Sequence, residues 1–408
     1  MSQQGPFLVV SNAARPALVS ALDEARMFPV IETPFSDAAR AVAQVQPSAV
    51  LADMREADDA QFGALARLIA ARTPYTPLIA VDPAAPLPDN AIPFASQAGQ
   101  FGRLPARVNA ALRVRALHIT VLRRLSEEPR TRLPDSDPAR EATVLLIGRG
   151  GGYPALSVAL GEHLGVVGAF SIEAAARHLN TRDIDGIVLG EGFTARVVDA
   201  FLIVLAEDAR FRKLPIILTT DALAPSSDLP NLEIIAGEPD SISANALPLI
   251  RQHAFEARLG RTLRAIDAEG LLDPQTGLMV EAAFDRDFVN AVRQTLADGG
   301  GLSVARFAFD AGNPRARLDG ARIISRLMRQ VDFGAVRSDG SVIVAFMDTD
   351  LRNAHGIARR LSAVMRHTAT GRRASRSEPA VTVATLMPQD SPKSLLARLY
   401  QPAQLAAS

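Results

Sequence analysis

Through the first two-thirds of the chain, short apolar runs alternate with helical repeats. Residues 7–10 (FLVV) form a run of strand length; Ser11 and Asn12 follow, then Leu18, Leu22 and Ala25 at helical spacing. The same alternation predicts strands over 29–32, 49–52 and 77–81, with helices over 38–45 and around Leu65, Leu68 and Ile69. Strands this uniformly apolar, joined through helices by short connections, belong to parallel sheets covered on both faces. A second unit repeats the scheme. Its strands are expected over 143–147, 186–189 and 215–220, and its helices from Pro154, over 172–179 and over 197–208.

Two long helical patterns, 104–125 and 244–266, carry broad apolar stripes and join the units. In the first, Arg107, Arg113, Arg115, Arg123 and Arg124 fall off the stripe and read as a solvated face. Its length predicts packing on a neighbouring domain or on a second subunit. The last third reads differently. Strands are expected over 302–309, 342–346 and 379–386, and helices over 351–365 and 394–400. The 351–365 helix turns Leu351, Ala354, Ile357, Leu361 and Val364 inward.

Length and charge narrow the classes. With 408 residues the chain holds two or three domains. Lys+Arg 44 against Asp+Glu 44 gives no whole-chain drive toward a nucleic acid polymer or an anionic membrane. The absence of cysteine excludes disulfide and thiol chemistry and suits a reducing compartment. The first ten residues are too short and uncharged for a signal peptide, and the apolar run 200–206 has the length of a buried helix. The expectation is a cytoplasmic protein without membrane insertion.

Candidate chemistry gathers at three places. Ligands of parallel α/β sheets collect at the carboxyl ends of strands, where Ser11, Asp53 and Asp82 would sit. Gly148-Arg149-Gly150-Gly151-Gly152, between a strand and a helix, has the composition of a turn that cradles phosphate on backbone N–H groups. Tyr153 stands where a dinucleotide fingerprint wants glycine. The third place is residues 329–346 (RQVDFGAVRSDGSVIVAF): an Arg-x-x-Asp pair closing a helix, a Ser338-Asp339-Gly340 turn and an alternating strand.

That third stretch resembles the centre of a GGDEF domain, the domain of bacterial diguanylate cyclases. Aligned without a gap from Asp332, the signature falls on Ser338, Asp339, Gly340, Ser341 and Val342. Asp273-Pro274-Gln275-Thr276-Gly277-Leu278 is similar to the D-x-L-T-G-L turn that opens such domains, departing at Gln275. Upstream, residues 48–54 (SAVLADM) resemble the third strand of a response-regulator receiver, with Asp53 as candidate phosphoacceptor. The alternative for Asp53 is a polar strand-end residue. Ser11-Asn12 replaces the receiver's acidic pair, and residues 93–97 offer no lysine; only Lys213 and Lys393 occur in the whole chain. The second unit resembles another receiver with Gly190 in the acceptor's place and Thr219 or Thr220 as the retained hydroxyl.

The order is that of PleD-like response regulators. The resemblance implies two flavodoxin-like, receiver-type doubly wound domains (5–127 and 142–266, linker 128–141). A GGDEF-like α+β domain with a mostly antiparallel central sheet (267–404) follows. Condensing two GTP molecules requires carboxylates to hold magnesium. The signature glutamate falls on Ser341, the preceding acid on Gly340, and the first-strand metal position on Ala308 or Asp310, depending on register. Residues 310–318 are shorter than the family's guanine-reading helix and loop. Arg329 and Asp332 match the family's product-binding pair, and Arg360, with Arg359 beside it, matches a secondary ligand residue. The resemblance therefore implies a non-catalytic cyclic di-GMP effector that dimerises through its receiver-like domains and meets protein partners. A diguanylate cyclase using magnesium, or a scaffold independent of nucleotide, are the alternatives.

Overall fold

The computed structural model describes the chain apart from residues 1–5, 14–15, 84–86, 97–98, 128–131, 209, 221–228, 230, 299–300, 330, 367, 370–377 and 401–408. The first part of the expected linker and the end of the expected last domain thus lie outside the described residues.

The first unit runs β1 (Phe7–Val10), α1 (Ala17–Glu24), β2 (Val30–Thr33), α2 (Ala38–Val45), β3 (Ala49–Asp53), α3 (Asp59–Ala70), β4 (Leu78–Val81), β5 (Ala91–Phe94) and α4 (Leu104–Glu127). Its five strands are parallel in the order β2-β1-β3-β4-β5. Every residue of β1, β3 and β4 is buried, which is why these strands read as unbroken apolar runs.

The second unit comprises β6 (Thr143–Ile147), α5 (Tyr153–Gly161), β7 (Gly165–Ala169), α6 (Ile172–Thr181), β8 (Gly186–Leu189), α7 (Ala195–Glu207), β9 (Ile216–Leu218), β10 (Leu232–Ile234) and α8 (Pro239–Asp267). Its parallel order, β7-β6-β8-β9-β10, repeats that of the first sheet. Both are doubly wound arrangements that reverse direction beside their first strand.

The third unit comprises α9 (Glu281–Asp298), β11 (Leu302–Ala308), α10 (Pro314–Leu327), β12 (Phe333–Val336), β13 (Val342–Met347), α11 (Leu351–Met365), β14 (Thr368–Ala369), β15 (Ala380–Thr385) and α12 (Pro392–Arg398). Four strands form an antiparallel sheet, β12-β13-β11-β15. One face packs Phe307, Val344 and Phe346 against α10 and α11, and the other packs Val304, Ile343 and Ala345 against α9 and α12. The fifth strand, β14, leaves this sheet and pairs antiparallel with β7 of the second unit.

Elements beyond the expected set include β5, β7, β10, β14 and α9. β7 (GVVGA) holds two glycines, β10 has three residues, and β14 has two. Helix α9 carries Phe284, Phe288, Ala291 and Val292 as one buried stripe. The long helices α4 and α8 pack on each other within the chain through Val114, Val121 and Leu259. The expected solvated arginine face of α4 holds for Arg113 and Arg124, which are exposed, and needs correction for two others. Arg107 is buried and paired with Glu233, and Arg115 donates to the carbonyls of Pro74 and Tyr75. The side chain of Arg123 lies outside the described residues. Among the described residues no helix is long and apolar enough to cross a membrane.

A buried ion cluster joins the second and third units. Pro138–Glu141, the end of the expected linker, forms a 3-10 turn that buries Glu141. That carboxylate accepts from Arg258 (2.7 Å) and Arg261 (3.3 Å) of α8 and from Arg322 (2.7 Å) of α10. Beside it Arg182, just after α6, donates to Asp319 of α10 at 2.7 Å. Arg315 reaches the carbonyls of Arg140 and Ala142. A Cβ on Gly165 would lie 2.6 Å from the Arg315 guanidinium, so glycine there permits the approach. Replacing Glu141 by alanine leaves three buried guanidinium groups without their carboxylate, and should cost ~3–5 kcal/mol. Urea denaturation followed by circular dichroism measures this; an unchanged midpoint would show that the cluster contributes nothing.

Candidate functional site

The hairpin between β12 and β13 closes as the sequence suggests. The N–H of Gly340 donates to Arg337 O at 2.9 Å, and the N–H of Arg337 donates to Ser341 O at 2.8 Å. Gly340 holds φ +80°, while Asp339 stays out of the left-handed region, so the glycine alone supplies the reversal. A Cβ at 340 would also meet Nη1 of Arg317 at 2.8 Å. The position matching a signature acid is therefore shaped for glycine.

The remaining signature positions are engaged inside the fold. Asp339 Oδ1 accepts from the Ser341 N–H (2.9 Å) and hydroxyl (2.6 Å), and its Oδ2 accepts from Arg306 Nη2 (2.8 Å). Arg306 Nε also donates to Ser341 Oγ at 3.2 Å, and its guanidinium lies 4.3 Å from the Tyr400 ring centroid. Burial works to raise the Asp339 carboxyl, but the Ser341 and Arg306 hydrogen bonds win and hold it below its ordinary value. Ser338 leads the turn and Val342 is buried at the start of β13. Asp310 is exposed, two residues beyond the end of β11, and accepts from the Gly312 N–H at 3.0 Å. Magnesium wants several hard oxygens converging on one point. Here the turn's one acid serves a guanidinium, and among the described residues no three His, Cys, Asp or Glu side chains group to hold a metal.

Arg329 and Asp332 come together, though not on a helix. Helix α10 ends at Leu327, and the pair occupies the turn before β12, where the Asp332 N–H donates to Arg329 O. Arg329 Nε and Nη2 donate to Asp332 Oδ2 and Oδ1, both at 2.9 Å. Nη2 also reaches Met347 O (3.0 Å) and Thr349 Oγ1 (2.9 Å), and Asp332 Oδ1 accepts from the Met347 N–H at 3.1 Å. The arginine side chain is 50% exposed and the aspartate 3%. The Asp332 hydrogen bonds raise the Arg329 pKa above its already high ordinary value. The result is a fixed guanidinium with an open outer edge, backed by a buried carboxylate.

Arg359 and Arg360 are exposed on α11. Arg360 stands nine residues past the start of α11 at Leu351, about 13 Å along the helix axis. Arg359 instead lines a cavity of about 560 Å³ with His355, Ser362, Arg366 and Glu378.

Asp53 ends β3 almost fully buried, and is clasped by Arg55 through Nε (2.9 Å) and Nη2 (2.7 Å), with Ser11 Oγ at 3.2 Å. Burial works to raise its carboxyl, but the Arg55 bonds bring it below the ordinary 3.8. At the second sheet, the glycine-rich turn lines a cavity of about 370 Å³ together with Thr219, Glu191 and Glu238. Those two carboxylates border the space that a phosphate at 148–152 would need.

Three site residues escaped the sequence reading: Arg306, Arg317 and Thr349. Arg306 left a signal, a lone charge inside the apolar strand LSVARFA. No family model matches the chain, and no curated protein matches it. Solved structures similar to it come from GGDEF-domain proteins. One is the coiled coil and GGDEF domain of DgcB from Caulobacter crescentus in complex with c-di-GMP (16% identity, 35% of this chain and 83% of that chain, TM-score 0.29). Another is the FimX GGDEF domain from Pseudomonas aeruginosa (16%, 32% and 89%, TM-score 0.29). A third is the diguanylate cyclase SiaD with its activator SiaC, from the same organism (17%, 35% and 62%, TM-score 0.30). A TM-score this low decides neither fold nor activity for this chain.

Two outcomes are expected. Gly340→Ala should destabilise by about 1–2 kcal/mol, the cost of a side chain in the left-handed region, read as a shift in the denaturation midpoint. Incubation with acetyl phosphate should leave Asp53 unmodified by mass spectrometry, because Arg55 occupies both carboxylate oxygens. A phosphoryl adduct lost in Asp53→Asn would contradict this.

Proposed function

We propose that this chain is a non-catalytic signalling effector that binds cyclic di-GMP through Arg329 of a degenerate GGDEF-like domain. The observation that carries the reading is the clasp, a half-exposed guanidinium held in two bonds by a buried carboxylate. An arginine already fixed by a carboxylate, a carbonyl and a hydroxyl loses little freedom when a ligand arrives. Its outer N–H groups suit a phosphate oxygen or the O6/N7 edge of guanine. In this reading Asp332 is a positioning residue, and Arg360 meets the same ligand from a second copy of the domain.

The hairpin supports the non-catalytic half. Two GTP molecules condense only where charge developing at phosphorus is spread over metal held by carboxylates. Gly340 and Ser341 offer none, and Asp339 is spent on Arg306. Helix α10, which follows the segment matching the guanine reader, turns Arg315, Asp319 and Arg322 onto the second unit. The two parallel-sheet units then act as receiver-like docking or dimerisation modules in the cytoplasm, without phosphoryl chemistry at Asp53 or Gly190. Ligand binding would favour whichever packing of the units it contacts better. A second reading, a scaffold independent of nucleotide, is favoured by the same α10 contacts.

Isothermal titration with cyclic di-GMP separates these readings. Saturable binding is expected for the wild type and about a hundredfold weaker binding for Arg329→Ala, as for the loss of two charge-assisted bonds. Arg329→Lys keeps the charge without the fork, guards against misfolding, and should also bind poorly. Absence of binding to the folded wild type would leave the scaffold. Sustained turnover of GTP with magnesium would contradict the non-catalytic assignment.

A further inference from the structure

A second, separate basic cavity lies where α8, α10 and the opening turn of the third unit meet. It encloses about 250 Å³, and its charged lining is Arg261, Arg264, Arg322 and Arg326 against Asp183 and Asp273. Both acids are engaged. Asp183 pairs with Arg326 at 2.6 Å, and Asp273 Oδ1 accepts from the N–H groups of Gln275 and Thr276 and from the Thr276 hydroxyl. Behind the wall a single carboxylate, Glu141, serves Arg258, Arg261 and Arg322 together. Arg261 and Arg322 are themselves more than nine-tenths buried. Counting this group, five arginines stand against three acids, with buried Asp185 as a further acid acting on Arg261.

Buried charges in folded proteins are compensated by partners. Here carboxylates alone do not match the guanidinium groups, which also lean on backbone carbonyls and border a void. Burial first, then the neighbouring Arg322, pushes Arg261 down to about 10. An anion in the cavity would relieve both effects. Carbonyl groups of the opening turn line up the guanidinium forks: Arg261 Nε donates to Pro274 O at 3.3 Å and Arg322 Nε to Gln275 O at 2.8 Å. With Arg322 Nη1 also donating to Glu141 O, both guanidinium groups are held before a ligand enters, and an anion would meet their remaining N–H groups.

We infer that this cavity is a binding site for a small phosphate-bearing anion that bridges α8 to α10 and so tightens the third unit onto the second. The anion meets arginines from two units at once, so its binding and their docking are linked. The site is distinct from Arg329 and does not depend on the cyclic di-GMP reading.

Titration calorimetry of the full chain with inorganic phosphate at constant ionic strength tests it. Single-site saturation is expected for the wild type and Arg329→Ala alike. Arg264→Gln, at an exposed position, should bind at least about tenfold more weakly, as for loss of one charge-assisted contact. Arg261→Lys, which keeps charge but not the fork, should do the same while its circular dichroism stays native. A parallel titration with GMP identifies the source of the group. Tighter saturation than with phosphate assigns a nucleotide phosphate; equal or weaker saturation assigns the free ion. No saturable heat in the wild type, or undiminished affinity in both variants, overturns the inference.

Discussion

One carboxylate shared by three arginines fixes how the later part of this chain is assembled. Glu141 sits on a short 3-10 turn ahead of the second sheet, while its partners come from α8 and α10, over a hundred residues later. Desolvating guanidinium groups is costly, and one carboxylate does not offset three of them. The balance comes from backbone carbonyls: Pro134 and Ser136 accept from Arg258, Pro274 from Arg261, and Gln275 from Arg322. Each such bond ties a loop to a helix side chain. The turn that opens the third unit is thus positioned by side chains of the helix before it and the helix after it.

That constraint bears directly on the hairpin. Helix α10 is committed on one face to the second unit through Arg182–Asp319 and Arg315, and on the other to the third unit's core through Ile323 and Ile324. With the helix so held, the chain emerging at Met328 has one course, and Arg329 turns back onto Asp332, Met347 and Thr349. The exposed guanidinium is therefore an end product of packing some distance away. Strand β14, added to the edge of the second sheet, ties the same two units a second time through backbone bonds alone.

At two strand ends an arginine closes on a carboxylate. Arg55 closes on Asp53 at the end of β3, and Arg306 closes on Asp339 beneath the hairpin. In both, the carboxyl is held ionised but already satisfied, which suits a structural role better than exchange with metal or phosphate. The glycine-rich turn of the second sheet meets the same fate by the opposite sign, since Glu191 and Glu238 border the space a phosphate would need.

What the sequence determined is local. Apolar runs in β1, β3, β6 and β8, alternating with helical repeats, made parallel sheets covered on both faces legible. The Asp-Gly turn and the strand after it were legible because turn chemistry is set within a few residues, although β13 is buried on both faces instead of alternating. Strands β7 and β14 were not, being glycine-rich or two residues long and stabilised by neighbours distant in sequence. Only the tertiary structure decided which arginine met which acid. The formal charges balance over the whole chain, so composition leaves every pairing open. Arg107 and Arg115, which pattern alone assigns to solvent, lie against Glu233 and against backbone carbonyls because another segment arrives there. An ion pair forms by distance in space, and that distance is set by packing that no local pattern encodes.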